Sequence, residues 1–138
     1  MNQQAIIGTS NTSKTLLWLG IGLTALVVLF LAADVIAKVI RVPKVLEANH
    51  KLGIAPELVP GIGVLLLVCT ALYAYPRTAV FGAILLTGYL GGATAIQVIA
   101  RSGAFPVAFS IIFGALTWTS LAFREPRLVR WILFRMEN

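Results

Sequence analysis

Four long stretches of apolar residues constrain this chain more than any other feature of its sequence. The first, residues 16–37, holds about 22 residues and a single charged side chain, Asp34. As a helix, a run of this length covers the hydrocarbon layer of a membrane, about 30 Å thick. Only 12% of the 138 residues are charged and 59% are hydrophobic. Such a composition cannot cover a surface that faces water, and the sequence predicts an integral membrane protein.

Proline and glycine residues divide the rest of the sequence into three further predicted spans. Pro56 precedes a second run over residues 58–75, and a turn at 75–77 leads directly into a third over 78–100. Residues 101–103 separate this run from a fourth over 104–123. Connections this short require neighbouring helices to run in opposite directions. The predicted fold is therefore all-α, with a four-transmembrane-helix antiparallel bundle at residues 15–123.

The segments outside the predicted spans are polar or basic. Residues 1–14 lack an apolar period and are predicted to form a polar N-terminal tail. Between the first two spans, Pro43 can open and Gly53 can end a short helix at the membrane interface. Residues 124–138 combine arginines with large apolar side chains, which predicts a basic amphipathic surface helix. A cleaved signal peptide is the alternative for the start, but its apolar core would be shorter.

The net charge of +6 indicates lipid headgroups rather than nucleic acid as the partner. The basic residues lie in the short connections and near the C-terminus, which is typical of membrane helix ends. Six of them fall on the side of the termini and five on the other, which favours cytoplasmic termini. The single cysteine, Cys69, and single histidine, His50, leave no disulfide within the chain, and too few ligands for a zinc site or a bis-histidine haem. No metal site is predicted.

The third predicted span carries small residues at helical spacing. Gly88 and Gly92 form a GxxxG pair, and Gly91 and Ala95 form a second small pair beside it. Because lipid provides no hydrophobic drive for helices to associate, small residues that let two backbones approach contribute much of the packing. These residues are predicted to form a helix contact, either within one chain or between two copies.

Five polar residues are predicted to meet at one end of the bundle. In an antiparallel arrangement the end of the first span, the start of the second and the end of the third lie at one level. Asp34 and Lys38 can pair one helical turn apart, and Glu57 can accept from Arg101 or Lys38. Gln97 is costly in lipid and is predicted to face the bundle. The cluster is either a charged network that closes the bundle or a polar pocket.

Three segments carry a family pattern: KVIRVPKVLEANHKLGIAPELVPGIGVLLL, YPRTAVFGAILLTGYLGGATA and FREPRLVRW. In order and spacing they resemble the DoxX-like family of small four-helix bacterial membrane proteins. Related DoxX and DoxD proteins are associated with membrane redox work, including a quinone-reducing thiosulfate oxidoreductase. The resemblance thus implies a quinone or redox-partner role in the bacterial inner membrane. Gln97 stands where the family leads us to expect a histidine, and glutamine lacks proton exchange and metal ligation.

Three functions stay open on the sequence alone, and no catalytic residue is predicted. The preferred one is a non-catalytic membrane subunit or partner-binding protein, whose partner is a second copy or another membrane or redox protein. The alternative is a component of a membrane redox system that binds a quinone headgroup at the five-residue cluster. A small-molecule carrier is the third, and the lack of internal repeats and broken helices disfavours it.

Overall fold

The protein is all-helical over the part of the chain that its computed structural model describes, the backbone of residues 3–128 and the side chains of residues 14–128. Five helices form this part of the chain, and none of its residues lies in a strand. The all-α class predicted from the sequence is confirmed. In chain order the helices are α1 (Gln3–Val39), α2 (Pro43–Lys51), α3 (Val59–Ala74), α4 (Ala79–Ile99) and α5 (Ala104–Arg124).

The first helix, α1, is longer than the predicted first span at both ends. It covers 37 residues and begins at Gln3, inside the segment predicted to be a polar tail. Residues 3–14 contain no proline, and although their Asn, Ser and Thr residues lower the helix propensity, nothing in the segment stops a helix. The predicted tail is thus continuous with α1 from residue 3, and the span predicted at 16–37 lies wholly within that helix.

The short helix α2 lies where a short interfacial helix is predicted. Pro43 occupies its first turn, where the missing N–H leaves no helical hydrogen bond unmade. The connections on both sides turn sharply, with φ angles of 57° at Arg41 and 80° at Gly53. Glycine adopts such an angle without steric cost, which explains why the helix ends before Gly53. An ion pair between exposed side chains, Lys51 Nζ to Glu47 Oε1 at 2.8 Å, supports the helix.

Three of the described helices contain segments long and apolar enough to cross a membrane: Lys14–Val39, Ala79–Ile99 and Ala104–Arg124. These segments indicate a multi-pass membrane protein. The remaining long helix, α3, is apolar but has only 16 residues. At 1.5 Å per residue it measures about 24 Å, less than the hydrocarbon layer of about 30 Å. The second span predicted at 58–75 is therefore present as a helix that is shorter than the other three.

The fifth helix, α5, follows the predicted fourth span closely. It starts after Gly103, whose φ of 98° reverses the chain, and it ends at Arg124, one residue beyond the predicted limit. Residues 126–128 add one further helical turn. The basic surface helix predicted for 124–138 lies for its larger part, residues 129–138, outside the described residues.

The four long helices pack side by side in a ring. α1 contacts α3 and α5, and α4 contacts the same two helices, whereas α2 packs against the end of α1. In the contact between α1 and α5, residues early in α1 lie beside residues late in α5, and later residues of α1 lie beside earlier residues of α5. Gly20 lies beside Phe123, and the Phe30 ring contacts the tilted Phe109 ring with centroids 5.2 Å apart.

The side chains inside and outside this ring are distributed differently from those of a soluble protein. Large apolar side chains are exposed around it: Trp18 and Leu29 each to 71%, and Ile99 to 82%. Exposing so many large apolar side chains to water would be unfavourable, whereas contact between these side chains and lipid is favourable. The buried residues include small hydroxyl side chains, namely Thr24, Thr70, Ser110, Thr117 and Ser120.

One end of the ring is closely packed around Gly82 of α4. A Cβ atom at this position would overlap the backbone N and Cα atoms of Tyr73 on α3, so only glycine fits. Tyr73 is fully buried there, and its hydroxyl hydrogen-bonds with the Ser120 hydroxyl and donates to the Thr117 carbonyl at 3.3 Å. These contacts join α3, α4 and α5, and we call this region the packed end.

Candidate functional site

A cavity of about 420 Å³ lies at the opposite end of α3 and α4 from the packed end. It is enclosed by the end of α1, by α2 and the segment that follows it, and by α3 and α4. Its walls are mostly apolar, and a few side chains supply the polar atoms, a character and volume typical of sites that bind small molecules. The lining residues are Lys38, Asn49, Leu52, Ile54, Ile62, Leu65, Gly88, Tyr89, Gly92, Ala93, Ile96 and Gln97.

The cation of the cavity, Lys38, is buried at the end of α1. Its ammonium group forms an ion pair with the Asp34 carboxylate one helical turn earlier. The close approach of α3 fixes its position, because a Cβ atom at Gly63 would come within 2.9 Å of the Lys38 Cβ. A buried ammonium group is tolerated only with a partner, and the neighbouring carboxylate provides it.

The amide of Gln97 on α4 is only half satisfied. Its Nε2 donates to the Ser110 hydroxyl on α5 at 3.3 Å, and that hydroxyl donates to the Pro106 carbonyl at 3.3 Å. The Oε1 atom is buried and has no hydrogen-bond partner among the described residues. A buried acceptor without a donor costs about 1–3 kcal/mol. A bound molecule that offers a hydroxyl or N–H group would recover this cost.

Two polar lining residues, Asn49 and Tyr89, were missed by the sequence analysis. Asn49 is buried on α2, and its Nδ2 donates to the Val45 carbonyl at 2.7 Å, which locks the side chain against its own helix. Tyr89 is half-buried on α4. Helical spacing offered a signal for it, because Tyr89, Ala93 and Gln97 recur every four residues and share one face of α4. No comparable signal was available for Asn49.

The structure brings together only part of the predicted five-residue cluster. Lys38 and Gln97 line the same cavity, and Asp34 adjoins it through its ion pair with Lys38. Glu57 and Arg101 are exposed, and neither forms an ion pair with another described residue. Neither predicted bond of Glu57 is formed, because the Lys38 ammonium is paired with Asp34 on its own helix and both Glu57 and Arg101 are exposed. Glu57 and Arg101 lie in the connections between helices, outside the ring.

The glycines of α4 line open space instead of contacting another helix. Among the described residues, a Cβ atom at Gly88, Gly91 or Gly92 would meet no atom within 4 Å, and Ala95 is exposed. This surface thus makes no close contact with another helix within the described residues. Gly88 and Gly92 line the cavity, where their missing side chains create its volume. A contact between two copies stays a prediction.

Cysteine and histidine chemistry lies apart from the cavity. Cys69 is buried in the core on α3, and His50 is exposed on α2. Within the described residues, no three His, Cys, Asp or Glu side chains come together in a group that could hold a metal ion. The cavity thus offers one cation, amide and phenol hydrogen bonds, and apolar contacts.

Comparison with known proteins gives a family match over the region that contains this cavity. The model of the DoxX-like family matches residues 22–120, which include every residue of the cavity lining. No curated protein and no solved structure shows a significant match to the chain.

Proposed function

The chain belongs to the DoxX-like family, and from that premise we propose that it is a non-catalytic membrane subunit that binds a quinone headgroup in the cavity. The observation that carries the proposal is that a buried cation, Lys38, and Gln97, whose buried Oε1 has no partner among the described residues, line one apolar cavity. A site with both groups suits a ligand that accepts a hydrogen bond on one side and donates one on the other.

A quinone headgroup has this combination of properties. Its oxygens accept hydrogen bonds in the oxidised form, and the Lys38 ammonium and the Tyr89 hydroxyl are donors. Its hydroxyl groups donate in the reduced form, and Gln97 Oε1 accepts. The ring and its apolar tail match walls such as Ile62 and Leu65. The protein holds the headgroup, and a partner enzyme carries out the electron transfer.

We also propose that all four long helices span the bacterial inner membrane as an antiparallel bundle, with both termini in the cytoplasm. The order of contacts between α4 and α5 supports this, because Thr87 bonds to Trp118 while the later Gln97 bonds to the earlier Ser110. The turn at residues 56–58 lengthens α3 at its start. The excess of basic residues on the side of the termini supports the orientation.

The experiment that tests quinone binding compares two glycines of α4. Gly92 lines the cavity and Gly91 does not, yet a Cβ atom at either position would meet no described atom within 4 Å. Gly92→Leu should fill the cavity, and Gly91→Leu is the matched control. We expect decylubiquinone to raise the melting temperature of the parent protein and of Gly91→Leu in detergent, but not of Gly92→Leu. A ligand at 100 times its Kd stabilises by about 2.7 kcal/mol.

A second arm of the experiment uses the reduced probe, decylubiquinol. Gln97→Leu removes the acceptor, so it should weaken the response to the quinol more than the response to the quinone. No melting shift in the parent protein would contradict the proposal. Equal shifts in the parent, Gly91→Leu and Gly92→Leu would contradict it as well, because the probe would then bind elsewhere.

A further inference from the structure

A second concave site lies at the other end of the molecule, beside the last residue of α5. It is a groove of about 270 Å³ between α1, the end of α3 and the end of α5. We call it the Arg124 groove, after its single charged residue. Its lining residues are Ile21, Thr24, Ala25, Val28, Ala74 and Arg124.

Arg124 is half-buried, and its guanidinium group has no carboxylate partner among the described residues. Its Nη1 donates to the Thr24 hydroxyl at 3.2 Å, and that hydroxyl donates to the Gly20 carbonyl at 2.8 Å. Among the described residues the ion pairs are those within α1 and within α2, and neither involves Arg124. A guanidinium group carries five N–H donors, so most of them are left for a ligand.

The close contact of α1 with α5 holds this arginine in place. A Cβ atom at Gly20 would come within 2.8 Å of the Phe123 Cβ and 3.1 Å of the Arg124 Cγ. The aliphatic part of the Arg124 side chain therefore lies directly against the α1 backbone at Gly20. The cation is positioned by the fold before any ligand binds, which lowers the cost of ordering the side chain on binding.

The apolar wall of the groove is a stripe along α1. Ile21, Ala25 and Val28 follow the spacing of one helix face, and they run from Arg124 toward the middle of the apolar segment Lys14–Val39. The stripe is about 10 Å long at 1.5 Å per residue. It places a hydrocarbon surface directly beside a cation at the end of a helix of membrane-crossing length.

We propose that the Arg124 groove binds an anionic phospholipid, with the phosphate on Arg124 and one acyl chain along the α1 stripe. The charge around the groove favours such a ligand, because Arg77 and Arg127 are exposed at the same end and Glu125 is the acidic residue there among the described residues. Basic pockets between membrane helices bind anionic headgroups in this way. The apolar stripe selects a lipid over free phosphate.

The test measures lipid retention by native mass spectrometry of the protein released from detergent. Phosphatidylglycerol, phosphatidylcholine and inorganic phosphate are added separately. We expect the parent protein and the control Lys44→Gln, which removes an exposed cation at the other end of the molecule, to retain phosphatidylglycerol in preference to phosphatidylcholine. Arg124→Gln should lose about fivefold or more in affinity for phosphatidylglycerol, the factor expected for one basic residue at a lipid surface. Inorganic phosphate should neither bind nor compete.

A second variant keeps the charge and blocks the apolar stripe. Ala25 lines the groove and is exposed, so Ala25→Trp should weaken phosphatidylglycerol binding without disturbing the core. If Arg124→Gln fails to fold, Ala25→Trp still tests whether phosphatidylglycerol binds in the groove. Unchanged binding in Ala25→Trp or in a folded Arg124→Gln would overturn the proposal, as would equal retention of both lipids or competition by free phosphate. Quinone binding in the distant cavity is independent of all these outcomes.

Discussion

Two glycines of the same helix, Gly82 and Gly92, have opposite surroundings. A Cβ atom at Gly82 would overlap the backbone of Tyr73, whereas one at Gly92, which lines the cavity, would meet no atom of the described residues within 4 Å. The GxxxG spacing that predicted close packing belongs to Gly92 and not to Gly82. Small residues show where a helix backbone is bare, and the neighbouring helix decides whether that bare surface becomes a contact or a cavity.

Hydrogen bonding follows the same division between the two ends. At the packed end the buried Tyr73 hydroxyl has partners in Ser120 and Thr117. At the cavity end the buried Oε1 of Gln97 has no partner among the described residues. Satisfied polar groups rigidify a core, whereas an unsatisfied one is a cost that a ligand can remove. The packed end therefore contributes stability, whereas the cavity end is where we propose that a ligand binds.

The largest expected effect is the loss of stability in Gly82→Ala. The added methyl group must displace the α3 backbone at Tyr73, which we expect to cost about 3 kcal/mol or more. Gly92→Ala is the matched control on the same helix. It should be neutral or stabilising by up to about 1 kcal/mol, since alanine has the higher helix propensity. Thermal unfolding in detergent measures both, and similar melting temperatures would break the comparison.

A smaller loss is expected when the ion pair at the cavity end is broken. Lys38→Met leaves Asp34 without a partner, and because the Asp34 side chain is 34% exposed, the cost should be about 1–3 kcal/mol rather than that of a fully buried pair. Replacing both residues, Lys38→Met with Asp34→Leu, should restore much of the stability. Chemical unfolding of the two single variants and the double variant measures the coupling. Additive losses would show that the pair is energetically inert.

The smallest effect is expected at the exposed glutamates of the connecting region. The Lys51 ammonium holds the pKa of Glu47 below its ordinary value of 4.5. Because the pKa is lower in the folded protein, the contribution of Glu47 is present above its ordinary pKa and is lost as the pH falls through the lowered value. Glu47→Gln should remove this acid sensitivity, whereas Glu57→Gln, which breaks no ion pair among the described residues, should not. Melting curves at neutral and acidic pH compare them.

Most of the helix limits could be predicted because their signals are local. Pro43 and Gly53 bracket α2, and a proline turn and a glycine turn bound α4 and α5 to within about one residue of prediction. The start of α1 could not be predicted in this way, because a polar segment without proline carries no stop signal. Proline and glycine at helix ends thus predict where the helices lie along the chain.

The candidate site could be predicted only in part because it depends on how each helix is rotated about its axis. Antiparallel threading sets the level of Lys38, Glu57 and Gln97 along the bundle, but not which way each residue faces. A helix that is apolar all round carries little periodic signal for its orientation. Gln97 was the exception, since a buried amide has a clear preference. The sequence gives no such preference for Glu57 or Asn49. The predicted cluster therefore wrongly included Glu57 among the residues of the pocket and missed Asn49.

The exposed apolar side chains around the ring have a consequence for how stability depends on temperature. In a micelle or bilayer, side chains such as Trp18 and Leu29 contact hydrocarbon in the folded state. They stay out of water when the helices separate, so unfolding hydrates little new apolar surface. The heat-capacity change on unfolding is set mainly by such hydration. The free energy of unfolding should therefore vary almost linearly with temperature, without the strong curvature that makes soluble proteins less stable in the cold.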